Sequence, residues 1–252
     1  MSLLRALIIS LLLAVPAQAE EIVADLSQTR VAITANFDGS EILIFGAVRR
    51  EEAMPEGPLA VIITVEGPSE RTTVRRKERV AGIWVNTDTV EVDLAPTFYA
   101  IATSAPLQDA ISEIEDLRHK ISIPRAIRAV GTKDSVADSE VFVDALIRIR
   151  TSKDSYQVLE NAVKLTADTL FETSITLPSN LTQGAYRTRI FLTRDGAVVD
   201  QFETAIEVRK VGLEKFIYGL AHEHPLIYGL LSLAIAIAAG WLASAFFRYI
   251  RG

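Results

Sequence analysis

The chain has 252 residues, with 26 basic and 32 acidic side chains for a formal net charge of −6, and no cysteine. Lacking thiols, it has no disulfide staples, thiol nucleophiles or thiolate metal centres, so its stability has to come from core burial. The acidic balance argues against nucleic acid as a partner, because phosphate contacts need clustered Lys and Arg on a net basic surface.

In chain order, residues 1–19 come first: Arg5, an apolar run from Ala6 to Val15, and the small-residue triplet Ala17-Gln18-Ala19. These are the parts of a secretory signal peptide, with cleavage expected after Ala19 and a mature chain from Glu20. The apolar run is about half the length that spans a bilayer, so an uncleaved signal anchor is the lesser alternative.

Residues 20–104 read as a β-sandwich segment. Short β-branched and aromatic runs broken by turn residues predict strands over 31–37, 41–48, 59–65, 71–77, 81–85, 89–94 and 98–103. Asp38-Gly39-Ser40 has hairpin-turn chemistry, and residues 54–58 form a Pro/Gly loop. Strands at this spacing suggest an immunoglobulin-like sandwich. Trp84, at an alternating position, is expected as a core anchor, with a ligand-stacking aromatic as the alternative. The cationic stretch from Arg71 to Arg79 reads as a solvated strand face or edge.

Residues 105–153 read as a helical pair. Leu107, Ile111, Ile114, Leu117 and Ile121 recur at helical spacing, with Asp109 early and Arg118, His119 and Lys120 late, as a helix dipole favours. Pro124 interrupts this helix, Gly131 closes the segment and residues 132–137 form a polar loop. A second helix from Asp138 or Ser139 carries Phe142, Ala145, Leu146 and Ile149 on one face.

Residues 154–211 form a second β segment, weak at first and then plain over 170–177, 185–193 and 198–209, with Asp195-Gly196 turning the last two strands into a hairpin. Leu181, Gly184 and Tyr186 are spaced as in a tyrosine corner, where the phenol bonds back to upstream backbone. The glycosylation-type triplet at Asn180 falls in the turn before that corner, so a structural reading is preferred. Whether the two β segments make two sandwiches or one is open at this point.

Residues 212–224 predict a short amphipathic helix, with Leu213, Phe216, Ile217 and Leu220 on one face, placed to lie on a membrane surface. Residues 225–247 contain no charge and would span about 34 Å as a helix, enough to cross a hydrocarbon core of about 30 Å. Tyr218 and Tyr228 at one end and Trp241 and Tyr249 toward the other fit aromatic belts. The tail, 248–252, carries Arg248 and Arg251, which places it on the cytoplasmic side of a bacterial inner membrane and the bulk of the chain in the periplasm. Without Arg5, Arg248 and Arg251, 23 basic residues face 32 acidic ones, so the exported part carries −9.

Candidate chemistry is sparse. His222 and His224 are the one pair with metal-ligand flavour, but on a helix they lie about 200° apart, no third ligand is near in sequence, and an interfacial collar is the plainer reading. Neither a Gly-x-Ser-x-Gly elbow nor a phosphate-cradling glycine loop occurs, and the carboxylates are scattered, with Glu113, Glu115 and Asp116 read as the wet face of a helix. No cofactor is expected. Ser232, Ala236, Gly240 and Ser244 recur every four residues and offer a small-residue stripe on which a second helix could pack.

Gly82-Ile83-Trp84-Val85-Asn86, Phe98-Tyr99, Leu170-Phe171, Leu177-Pro178 with Gly184 and Tyr186, and Pro225-Leu226-Ile227-Tyr228-Gly229 with Gly240-Trp241 together resemble a family of alphaproteobacterial transmembrane proteins. The resemblance implies an exported domain with one C-terminal anchor, brings no catalytic residues, and implies an accessory role in transport beside sulfite-exporter-type permeases. The expected protein is mainly β, with an inserted helical pair and one C-terminal transmembrane helix. It is expected to work as a binding or accessory module in contact with the lipid bilayer and an integral membrane protein. A membrane-tethered periplasmic hydrolase and a self-associating envelope protein are the alternatives.

Overall fold

A computed structural model of the protein describes residues 20–34, 36–51, 53–128 and 139–251. The expected signal peptide, Gly131 and the polar loop at 132–137 therefore lie outside the described residues.

One sheet has the order β1 (Glu20–Leu26), β3 (Ser40–Arg50), β10 (Leu170–Leu177), β9 (Lys164–Thr166). The other has the order β2 (Arg30–Ile33), β12 (Ala197–Lys210), β11 (Gly184–Arg194), β4 (Leu59–Glu66), β7 (Tyr99–Thr103), β8 (Tyr156–Leu159), with β7 and β8 parallel. Both β segments of the sequence supply strands to both sheets: β3 pairs with β10, and β4 with β11. The two segments therefore build one composite sandwich.

Alternation explains how the four-stranded sheet is seated. In β10, Phe171, Thr173, Ile175 and Leu177 are buried while the residues between them are exposed, so one face is apolar and the other wet. Strands β4 and β7 are instead buried along nearly their whole length, as central strands covered on both faces should be. On one side of them Ile62, Tyr99, Ile101 and Phe191 join a core with Ile111, Ile121, Ile123, Phe142 and Leu146. Of these last five, Ile111 and Ile121 lie in the turns that follow α1 (Leu107–Ala110) and α2 (Glu113–His119), Ile123 opens α3 (Ile123–Ala126), and Phe142 and Leu146 belong to α4 (Ser139–Thr151). Each such buried aliphatic or aromatic side chain contributes about 1.5–3 kcal/mol of burial free energy.

A two-stranded hairpin, β5 (Ser69–Val80) and β6 (Ile83–Pro96), completes this unit. Its base enters the same core through Val74, Val90 and Val92. Ala81 and Gly82 both have positive φ, the backbone of a tight two-residue turn that follows the strand twist. A second compact unit, residues 32–37 with 209–252, holds α5 (Leu213–Glu223) and α6 (Pro225–Arg251).

Several expectations are corrected. The helix expected through Leu107–Ile121 is two helices, because Ile111 is extended and Ser112 caps α2, accepting from the Glu115 amide while its own amide donates to Gly196 O at 2.8 Å. Ile114 and Leu117 consequently point outward, at 70% and 57% exposure. Pro124 does not interrupt but sits in the first turn of α3, where a missing amide hydrogen costs nothing. Asp38-Gly39-Ser40 joins strands of different sheets, so it is a crossover rather than a hairpin. The strands expected at 81–85 and 89–94 are one strand, β6, from Ile83 on, and Ala81 and Gly82 are the turn before it. The tyrosine corner is present: Tyr186 is fully buried and its hydroxyl donates to Thr182 O at 2.9 Å.

Candidate functional site

The anchor is the simplest element to derive. Pro225 opens α6, where its lack of an amide proton is harmless, and residues 225–246 have mean hydropathy 2.1 with none of that stretch buried. A helix this long and apolar, with none of it buried, fits a membrane anchor. Ser232, Ala236, Gly240 and Ser244 all lie exposed along it, and a methyl group added at Gly240 would meet nothing within 4 Å. The Ser232 hydroxyl donates to Tyr228 O at 2.8 Å, so its polarity is absorbed inside the helix and does not need water.

His222 lies on α5, where its Nδ1 donates to Tyr218 O at 2.9 Å and its ring stacks on Tyr218 with centroids 4.0 Å apart. His224 is the single residue between α5 and α6. The structure thus puts one histidine on a helix face and the other at a break, and among the described residues no group of three or more possible ligands is placed to hold a metal ion.

In the β unit, the sequence gives no hint of two buried charge systems. Glu20, 4% exposed, bonds Arg50 Nε at 2.7 Å and Arg194 Nη2 at 2.8 Å, while Arg194 Nη1 donates to the carbonyls of Pro55 and Gly57. Burial acts to raise the Glu20 pKa, but the two guanidinium groups outweigh it and hold the carboxyl below its ordinary range. Arg189, also buried, donates to His119 O at 2.7 Å and Lys120 O at 3.3 Å, the C-terminal carbonyls of α2 where a cation is favoured. Asp116 accepts from the amides of Ile121 and Ser122 and from the Ser122 hydroxyl, which makes it a fastening between α2 and α3 rather than a wet-face residue. Each of these groups is engaged in holding the fold.

The exposed surfaces are more telling. Trp84 is not a core residue: it is 69% exposed, with Ile83 at 65% and Val80 at 52%, all at the tip of the β5–β6 hairpin. The hairpin strands run 12 and 14 residues, against 8 for β4, and burial stops at Val74 and Val90. Among the described residues, no element covers the far half. A sequence signal for this did exist, since Ile83-Trp84-Val85 is a continuous apolar run directly after a turn that follows the cations Arg75, Arg76, Lys77 and Arg79. On the outer face of the four-stranded sheet, Val23, Phe45 and Leu170 border a shallow apolar depression of about 600 Å³.

A mostly β domain with exposed apolar surfaces, followed by a bare apolar helix of spanning length, defines a membrane-anchored protein. The chain belongs to the family described as "Putative transmembrane protein (Alph_Pro_TM)", whose model matches residues 21–249. No curated protein matches it. Among solved structures it is similar to Spo0M, the sporulation control protein of Bacillus subtilis, at 8% identity over 81% of this chain and 55% of that one, with a TM-score of 0.29. It thus spans about half of that structure's length. It is also similar to BslA, a bacterial hydrophobin, at 12% identity over 77% and 97% of the two chains, with a TM-score of 0.21. Both scores are too low to bear on fold or function.

Proposed function

We propose that the protein is a binding or accessory module held in a bacterial inner membrane by α6, with its β domain in the periplasm and its C-terminus in the cytoplasm. It would associate there with an integral membrane protein such as a transporter, sulfite-exporter-type permeases included. The observation that carries this reading is α6 itself: an apolar helix with none of 225–246 buried, bearing small residues at 232, 236, 240 and 244 where a second helix can approach closely. The signal-peptide pattern of residues 1–19 and the cations at 248 and 251 support the orientation.

The test is capture from membranes solubilised in mild detergent. Recovery of an integral membrane protein in stoichiometric amount, reduced about tenfold or more by Gly240→Leu, supports the reading. Equal recovery by the variant removes the stripe from it. The apolar depression beside Val23, Phe45 and Leu170 favours a second reading, self-association through the outer sheet face, and recovery of this chain alone would support that one.

A further inference from the structure

We propose that the β5–β6 hairpin is a lipid-binding finger that docks its tip on a bilayer surface rich in anionic headgroups. This rests on the membrane-anchored reading and adds a second, separate point of lipid contact.

The register sorts the far half of the hairpin into two faces. Val80 pairs with Ile83 and Glu78 with Val85 on one; Arg79 pairs with Trp84, Lys77 with Asn86 and Arg75 with Thr89 on the other. The end of the finger is therefore apolar and aromatic. Arg79 stands level with Trp84, and Lys77 and Arg75 follow behind it at successive levels about 7 Å apart, because alternate strand residues share a face. The next rung, Thr73 with Glu91, brings the first carboxylate on that face. Among the described residues none of these three cations pairs with a carboxylate, whereas Arg76, on the opposite face, pairs with Asp88 at 3.3 Å and lies 4.9 Å over the Phe142 ring. The basic surface also continues sideways. A groove of about 320 Å³ between β5 and α4 is lined by Arg75, Arg76, Lys77 and Arg148, with exposed Val141 and Ile149 beside them.

A net charge of −6 makes this concentration of cations stand against the rest of the chain, so a negative partner is the one complementary to it. The ordering by depth picks a bilayer. Tryptophan and aliphatic side chains favour the headgroup boundary, and Lys and Arg just behind them meet the phosphates. Each cation contributes about a fivefold change in the ratio of docked to free finger, and an anchor that keeps the domain near lipid lets such modest gains suffice.

The chain has two tryptophans, Trp84 on the finger and Trp241 on the anchor, and this makes the test direct. The full chain carrying Trp241→Phe is reconstituted into vesicles of brominated phosphatidylcholine with and without phosphatidylglycerol, leaving Trp84 as the sole emitter. Expected are a blue-shifted Trp84 emission and strong bromine quenching in the anionic vesicles. Both are lost severalfold in zwitterionic vesicles, at high salt, or when Arg75, Lys77 and Arg79 are changed to Gln, with circular dichroism unchanged. Water-like, unquenched Trp84 in both lipids overturns the proposal. So does a blue shift without quenching, which places the tip against protein, a second copy included. Equal quenching in both lipids overturns headgroup recognition. The companion chain with Trp84→Phe reports Trp241 alone: quenching there with none at Trp84 keeps the anchor and rejects the finger, and no quenching there rejects the anchored reading itself.

Discussion

Glu20 shows how one residue can secure the start of the fold. Its carboxylate is out of water, and two guanidinium groups, Arg50 and Arg194, balance it, the second of them also tying down the loop at Pro55 and Gly57. Removing one member of such a buried system leaves the others uncompensated, so Glu20→Gln is expected to cost about 3 kcal/mol at neutral pH. The pH dependence has a definite sign. Glu20 has a depressed pKa when folded, so the unfolded chain takes up its proton first as the pH falls, and the stabilisation is complete above about pH 4.5, the ordinary value, and is lost as pH drops through the folded one. Urea unfolding of the full chain in nanodiscs should show the gap between wild type and Glu20→Gln closing as the pH is lowered past that point. A gap that stays constant would mean that packing, not charge, carries the effect.

Among the described residues, the hairpin is buried at its base and nowhere beyond Val74 and Val90. Phe142 of α4 is 4% exposed, lies in the core with Val74, Val90 and Val92, and has Arg76 stacked over its ring. Phe142→Ala should destabilise the β unit by about 3–4 kcal/mol and make the amides of β5 and β6 exchange faster than those of β4, as hydrogen-exchange mass spectrometry would show. How much of each element was legible in the sequence depended on where its partners lay. Strand β10 could be placed at Leu170–Leu177 because its alternation reflects one wet face and one dry one. The tyrosine corner could be read because its bond is local, from Tyr186 to Thr182. Trp84 is ambiguous in sequence because an alternating aromatic looks the same whether or not an element remains to cover it, and hairpin length relative to the sheet is not visible locally. The break at Ile111 leaves no local signal because it depends on Ser112 meeting Gly196 across the fold. The anchor was plain from composition, while Glu20, Arg189 and Arg194 gave no signal: a buried ion system is built from distant partners, and an isolated Glu or Arg reads as surface.

At the scale of the molecule, both sheets interleave the two ends of the β unit. Strand β3 lies between β1 and β10, and β4 between β7 and β11. A chain stopped after residue 153 would keep β3 and β4 but lack β10 and β11, and each of those strands would expose a full edge. Such a fragment is expected to be protease-sensitive and to lack the β-sheet circular dichroism of the full chain; a resistant, folded fragment would show that the first β segment is independent. The same interleaving sets a timetable for folding. Thr193 bonds Ala60 across 133 residues and Arg194 bonds Glu20 across 174, so a chain made from its N-terminus has to wait for most of its length before its central strands find their neighbours. Until then it stays extended and aggregation-prone, a substrate for holding chaperones, and it closes only when the last hairpin arrives, just ahead of α5 and α6.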